Sequence, residues 1–282
     1  MQLNKPNAKT FVPDGSDIEK ALERTTHLAI GAHQDDLEIF AYNGIAECYG
    51  QRDKWFTGVT VTDGAGSSRI GVYESYTDEE MIQVRAEEQN KAAFVGDYSA
   101  QFQLDYASSE VKDSSNSDPT EDLKLIVETA VAKVVYLHNP ADKHETHVAV
   151  LAKCIAALKS LPENLKPEKV YGCEVWRDLD WMQDSDKSVL DCSKYENMAH
   201  SLVALYDSQI SGGKRYDLAT AGRRLANATY FDSHSSDDAT ALTWAMDLTP
   251  LISDPTLSVK DYTLRYIDRF KDDVAKKLDK LF

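Results

Sequence analysis

The sequence predicts an α/β protein in which a mainly parallel sheet is covered by helices and followed by a helical C-terminal part. Compact apolar runs alternate with helical patterns from about residue 26 to 176, the order that produces parallel sheets. Glycine-rich and polar loops separate the runs. The composition, 42% hydrophobic and 28% charged over 282 residues, is that of a globular chain long enough to bury a sizeable core.

Residues 1–25 read as an N-terminal extension holding a short helix from Asp17 to Arg24. THLAIGA (26–32) is a compact apolar run suited to a buried strand, ending on Gly31 and Ala32. LEIFAYNGIAECYG then has helical periodicity and closes on Gly50. WFTGVTVT (55–62) is a second strand, and DGAGSSRIG (63–71) is a loop rich in glycine and serine. Thr77 and Glu80 have capping-box spacing and open a helix that runs to about Val95 and stops at Gly96.

SAQFQLDY supplies a third strand, and KDSSNSD (112–118) a flexible loop. Asp118-Pro119 with Glu121 opens the next helix. KVVYLH (133–138) is a β-branched strand, HVAVLAKCIAALKSL from His147 an amphipathic helix, and KVYGCEVW (169–176) a further strand. The remainder reads as more helical, with clear pieces at 193–210 and 258–282. The division is an extension (1–25), a body (26–250) and a C-terminal helical extension (251–282).

The formal net charge of -16 argues against nucleic acid or an anionic membrane as the main partner, because both require basic surface. A small anionic substrate held by a local arginine remains compatible with it. Cys48, Cys154, Cys173 and Cys192 form no C-x-x-C pair, so a thiolate zinc site is not expected. No apolar run approaches the ~20 residues that span a bilayer. MQLNKPNAKTF carries no apolar leader segment, and a cytoplasmic location is the expectation.

Two constellations carry chemistry. Ala32-His33-Gln34-Asp35-Asp36-Leu37-Glu38 follows the first strand and opens the next helix. His138-Asn139-Pro140-Ala141-Asp142-Lys143-His144-Glu145-Thr146-His147 also follows a strand and opens a helix, with His144 and His147 one turn apart. Ligands of parallel sheets sit beyond the carboxyl ends of the strands, which is where both stretches fall. Together they offer His, Asp and His ligands with a fourth position open to water, the arrangement of catalytic rather than structural zinc. A helix N-terminus that merely favours acids is the competing reading of the first stretch.

Both motifs resemble those of the LmbE-like or PIG-L de-N-acetylases, A-H-P-D-D-x-E and H-P-D-H before an apolar helix. This chain reads A-H-Q-D-D-L-E and H-E-T-H-V-A-V, and the likeness covers roughly residues 26–175. The resemblance implies a Rossmann-like three-layer α/β/α fold. It implies zinc or another divalent transition metal held by His33, Asp36 and His147. It makes Asp35 the general base, and His144 the oxyanion stabiliser or acid. Arg85, in VRAEEQNKAAFVG, becomes a substrate contact, against a surface ion pair with Glu88, and Glu38 becomes support behind the ligands.

The implied reaction hydrolyses an N-acetyl group from an N-acetylglucosamine-like sugar, giving acetate and a free amine. A non-sugar amide, or a binding role without turnover, is the alternative. A dinucleotide oxidoreductase is disfavoured, because no glycine fingerprint follows the first strand.

Three departures from the family pattern stand out. Gln34 replaces proline in the first motif, and Glu145 and Thr146 replace proline and aspartate in the second. The last change removes the acid beside His144 and leaves Asp142 or Glu145 to compensate. The loop at 63–69 reads as a substrate-side loop. Trp176, Trp181 and Tyr171 read first as core and second as a sugar-stacking surface. The segment 250–282 is an interface helix of a homo-oligomer or a surface flap.

Overall fold

The computed structural model describes residues 1–282. One sheet is built from β1 (Lys9–Phe11), β2 (His27–Gly31), β3 (Phe56–Thr62), β4 (Ala100–Tyr106), β5 (Val134–His138), β6 (Lys169–Cys173), β7 (Ser188–Asp191) and β8 (Leu242–Asp247). Their order is β1-β4-β3-β2-β5-β6-β8-β7. The five central strands, β4 to β6 in that order, pair in parallel. Outside them, β1 pairs antiparallel with β4, β8 antiparallel with β6, and β7 antiparallel with β8. This is the mixed α/β class the sequence predicts, with a parallel centre.

Strand β2 explains the layering. Its five residues are all buried. Leu28 and Ile30 point into one apolar cluster and Ala29 into the other, the two-residue alternation of a pleated strand. On the Leu28 side pack α1 (Ile18–Glu23), α6 (Asp118–Ala130), α7 (Glu145–Lys159) and α11 (Thr249–Ser253). On the Ala29 side pack α2 (Asp36–Phe40), α3 (Tyr42–Cys48), α4 (Asp78–Val95) and α8 (Glu196–Ala204). Each buried Val, Leu or Ile side chain contributes roughly 1.5–3 kcal/mol, so β2 and the fully buried β3 anchor the fold. The helices α5 (Ser108–Lys112), α9 (Asp207–Ile210), α10 (Tyr216–Thr229) and α12 (Val259–Leu281) complete the chain.

The Thr77–Glu80 capping box forms as its spacing predicts, with both reciprocal hydrogen bonds present. Several elements differ from the sequence expectation. The helix expected after β2 breaks at Ala41 into α2 and α3. The piece at 193–210 breaks at Tyr206, whose hydroxyl turns inward to the Glu38 carboxylate. Part of the segment read as helical supplies β7 and β8. Residues 9–11, inside the stretch read as an extension, join the sheet edge, Thr10 opposite Phe102. No helix is long and apolar enough to cross a membrane.

The chain leaves β2 to build one half of the sheet (β3, β4) and returns beside β2 at β5 to build the other (β6). That reversal is the switch point where open α/β sheets place their ligands.

Candidate active site

Both motifs meet at the switch point. Gly31 ends β2, and a Cβ there would lie 2.9 Å from the Asp36 Cβ and 3.0 Å from Leu37 Cδ2. Glycine lets helix α2 start directly over the strand end. The turn is tight: Asp35 takes φ 93, ψ -29, outside the regions a non-glycine residue prefers. Such strain persists where the surroundings hold it, commonly at functional sites. The His33 backbone N–H donates to Asp36 Oδ2 at 2.7 Å, fixing that carboxylate.

The second motif is pinned by Asn139, which is fully buried. Its amide donates to the Cys173 carbonyl at 3.0 Å and its Oδ1 accepts the Ala141 N–H at 2.9 Å. The loop then reaches His144, which precedes α7, and His147 in the first turn, 0% exposed.

Three expected metal ligands converge. His33 Nδ1 and His147 Nε2 are 3.2 Å apart. His33 Nδ1 lies 3.5 Å from Asp36 Oδ2, and His147 Nε2 lies 3.5 Å from Asp36 Oδ1. A tetrahedral centre with bonds of about 2.0–2.1 Å has ligand–ligand edges of roughly 3.3 Å. The two imidazole nitrogens stand at that spacing and a different oxygen of Asp36 faces each, a donor set of the N and O type that a divalent cation takes. Behind it, His147 Nδ1 faces Asp142 Oδ2 at 3.5 Å, the carboxylate–histidine pairing that fixes which ring nitrogen points forward.

Electrostatics separate the two adjacent carboxylates. Burial opposes ionisation of Asp36, yet the imidazoles of His147, His138 and His33 hold its carboxyl well below the usual range. Burial pushes Asp35 well above that range, against the pull of Arg85 and with help from the charge of Asp36. One acid is thus set to stay charged and its neighbour to exchange a proton, a pattern that separates roles. His33 is lowered to about 4 by burial, partly offset by Asp36. It is neutral and able to coordinate.

Arg85 is 4% exposed and does not pair with Glu88. Its guanidinium donates to the Gln34 carbonyl and the Ser67 hydroxyl, each at 2.5 Å, and stands 3.5 Å from Asp35 Oδ2. Glu88 instead accepts from the backbone and hydroxyl of Ser208. Gly64 makes room for this: with φ +78, a Cβ there would meet Arg85 Cδ at 2.9 Å.

His144 sits at the mouth, its ring stacked on His147 (centroids 4.6 Å) and edge-on to His33 (4.9 Å). Neither candidate acid reaches its ring by a hydrogen bond. Glu145 is exposed. Asp142 Oδ1 accepts the His144 backbone N–H at 2.9 Å, Oδ2 accepts the Trp176 N–H at 3.2 Å, and His144 Nδ1 stays buried without a partner.

Glu38 makes no hydrogen bond to the candidate ligands, contrary to its reading as their support. Its carboxylate accepts from Tyr98, Tyr206 and Gln89. Burial outweighs these donors and raises it to about 7. The residue ties α2 to α4, to the turn before β4 and to the α8–α9 turn.

Sequence reasoning missed His138. Its Nε2 accepts the Ala32 N–H at 2.9 Å and lies 3.3 Å from Asp36 Oδ2, and its ring stacks on His147 at 3.9 Å. The signal was its place as the last residue of a parallel strand, matching the site of the first motif. The aromatic trio read as core splits. Tyr171 packs on Tyr136, and Trp181 lies partly buried against the main core. Trp176 is 38% exposed and lines the cleft, edge-on to Tyr216.

The cleft over the cluster holds ≈ 570 Å³. One side is the first motif, Arg85 and the loop residues Gly64, Gly66, Ser67 and Ser68. The other is Glu174–Trp176 with the N-terminal half of α10.

Residues 28–158 match the family model described as PIG-L, GlcNAc-PI de-N-acetylase. These residues form a PIG-L domain. The uncharacterized deacetylase YaiS of Escherichia coli is 25% identical over 155 residues, 55% of this chain and 79% of its own. Two solved structures share the fold. The N,N'-diacetylchitobiose deacetylase of Pyrococcus horikoshii superposes with TM-score 0.61 at 14% identity, covering 82% of this chain and 86% of that one. The 4-carboxy-2-hydroxymuconate hydratase of Pseudomonas putida gives TM-score 0.58 at 17% identity, over 80% and 96%. The PIG-L match ends inside α7, so the far wall of the cleft, from Glu174 through α10, lies outside it.

Proposed function

We propose that the chain is a metal-dependent N-deacetylase that hydrolyses the acetamido group of an N-acetylglucosamine-like sugar. The observation that carries this reading is the triangle of His33 Nδ1, the Asp36 carboxylate and His147 Nε2, with edges of 3.2–3.5 Å, opening into a cleft beside Asp35. The family of the PIG-L domain supports the reaction class.

His33, Asp36 and His147 would hold the ion, zinc in the first instance. When bound it supplies Lewis-acid polarisation of the amide carbonyl and lowers the pKa of water to about 7. The protein does the rest. Asp35 takes a proton from the attacking water, for which its raised proton affinity suits it. Arg85 opposes the effect of burial on that carboxyl and orients the incoming sugar. His144 presents an imidazole N–H to the oxygen that gains charge as water adds to the carbonyl carbon. The C–N bond breaks as the proton taken up by Asp35 passes to the nitrogen, leaving acetate and the free amine.

The test is amine release from N-acetylglucosamine derivatives, with zinc present and after chelation. Chelator-sensitive release that His147→Ala abolishes supports the reading. Metal-loaded protein that releases no amine from any sugar derivative refutes it and turns the search to non-sugar amides.

A further inference from the structure

The chain has net charge -16, yet the cleft wall beyond His144 is basic. Lys112, Lys214 and Arg223 line it, and no carboxylate lies within ion-pair distance of any of them. Other cations of the chain do have acids beside them: Lys169, Lys187, Arg215 and Arg269 pair with Asp247, Asp180, Asp217 and Asp186.

The cleft's own acids form no ion pair with these cations. Asp35 faces Arg85, and Asp36 is ringed by histidines. Glu174 accepts from the Asn227 amide and from the backbone N–H groups of Trp244 and Leu179. Glu174 also feels the charge of Arg223, which favours its ionised form, while Lys112 and Lys214 have no carboxylate within ion-pair distance.

Two of them meet at Trp176. Lys214 Nζ lies 5.3 Å from its ring centroid, and Arg223 donates to the carbonyl of Val175, the preceding residue. The Trp176 ring is 6.3 Å from that of His144 and 6.1 Å, edge-on, from Tyr216. Lys112, the last residue of α5, enters the same cleft from another direction. An indole 6.3 Å from the His144 ring, with one cation over it and another on the preceding carbonyl, suits a sugar ring that carries a negative charge.

We propose that this wall binds an anionic group carried by the substrate, a phosphate ester or a carboxylate, about one sugar ring beyond the acetamido group. The inference rests on the deacetylase reading of the same cleft. The acidic remainder of the protein then works as a filter: polyanions are repelled, and a small anion finds one basic patch.

The experiment compares kcat/KM for three substrates: an uncharged methyl glycoside of N-acetylglucosamine, N-acetylglucosamine 1-phosphate, and a glycoside with a carboxylate-bearing aglycone. At least one anionic form should exceed the uncharged one by about tenfold or more, the worth of one or two charge-assisted hydrogen bonds. The advantage should shrink as salt rises. Which anion is preferred identifies the source of the charge. In the double variant Lys214→Gln, Arg223→Gln, the anionic preference should fall about tenfold, mainly through KM, with Tm and metal content retained.

Isothermal calorimetry with inorganic phosphate on chelator-treated protein provides a readout that needs no turnover. Binding weaker in the double variant supports the inference. Hydrolysis of the uncharged glycoside with no anionic advantage and no phosphate binding overturns it and leaves the deacetylase intact. Phosphate binding to the wall without hydrolysis of any derivative refutes the deacetylase reading alone.

Discussion

The two walls of the cleft are built by different means. The wall with the first motif comes from the ends of adjacent parallel strands β2 and β5, and its groups are buried and fixed by backbone hydrogen bonds within three residues. The opposite wall comes from the end of β6 and from α10, packed against the antiparallel strand β8, with exposed or half-buried Trp176, Lys214 and Arg223. Parallel strand ends bring side chains from distant stretches to one point, which chemistry requires. A helix laid across the antiparallel edge presents a surface that varies without disturbing that point, which recognition requires. The match to the PIG-L family stops before the second wall. In this account the first wall sets the reaction and the second the substrate.

Substitutions on each side should therefore fail differently. The largest effect is expected from Asp35→Asn, which keeps the metal and lowers kcat by about 10²–10⁴-fold, the range for loss of a general base. Metal analysis alongside single-turnover rates checks it. An equal loss of metal would move Asp35 from proton transfer to coordination.

Next is Asp142→Asn, behind His147. It should lower metal affinity or activity by about 10–100-fold. A competitive chelator titration reads this directly, and unchanged affinity would detach Asp142 from the site. On the second wall, Trp176→Ala should raise KM by about tenfold with kcat and metal content nearly retained, since a ring contact is worth about 1 kcal/mol or slightly more. A fall in kcat alone would blur the division between the walls.

Smaller still for activity, Tyr206→Phe removes a 2.6 Å hydrogen bond to the buried Glu38 carboxyl. It should cost about 1–3 kcal/mol of stability, read as a lower Tm.

One pH effect lies outside both walls. Burial lowers His27 to about 4 from 6.5, so the unfolded chain takes up a proton that the folded one refuses. Stability should fall as pH drops from 6.5 towards 4, and His27→Gln should flatten that slope in urea melts.

The first wall was legible in the sequence because its spacing is local. His33 and Asp36, and His144 and His147, lie within one turn of each other, and each pair follows an apolar run whose end marks a strand end. His138 was harder to recognise, since its partners are the Ala32 N–H and Asp36, more than a hundred residues away. The destination of Asp142 was hidden for the same reason: one carboxylate divides between the His144 backbone and the His147 ring.

The second wall left little trace. Strand β7 is four residues long with one buried position, too short to show alternation. Helix α10 follows Arg215, which makes no side-chain cap. Trp176 follows an apolar strand, so it read as core, and only the turn after β6 exposes it.

The most direct test of the central claim is metal content and acetate release measured on one protein sample. Zinc-reconstituted wild type should hold one ion per chain and release acetate from an N-acetylglucosamine derivative. His147→Ala should lose both, and Asp35→Asn should keep the ion and lose the release. Full acetate release by metal-free protein, or by Asp35→Asn, would contradict the account.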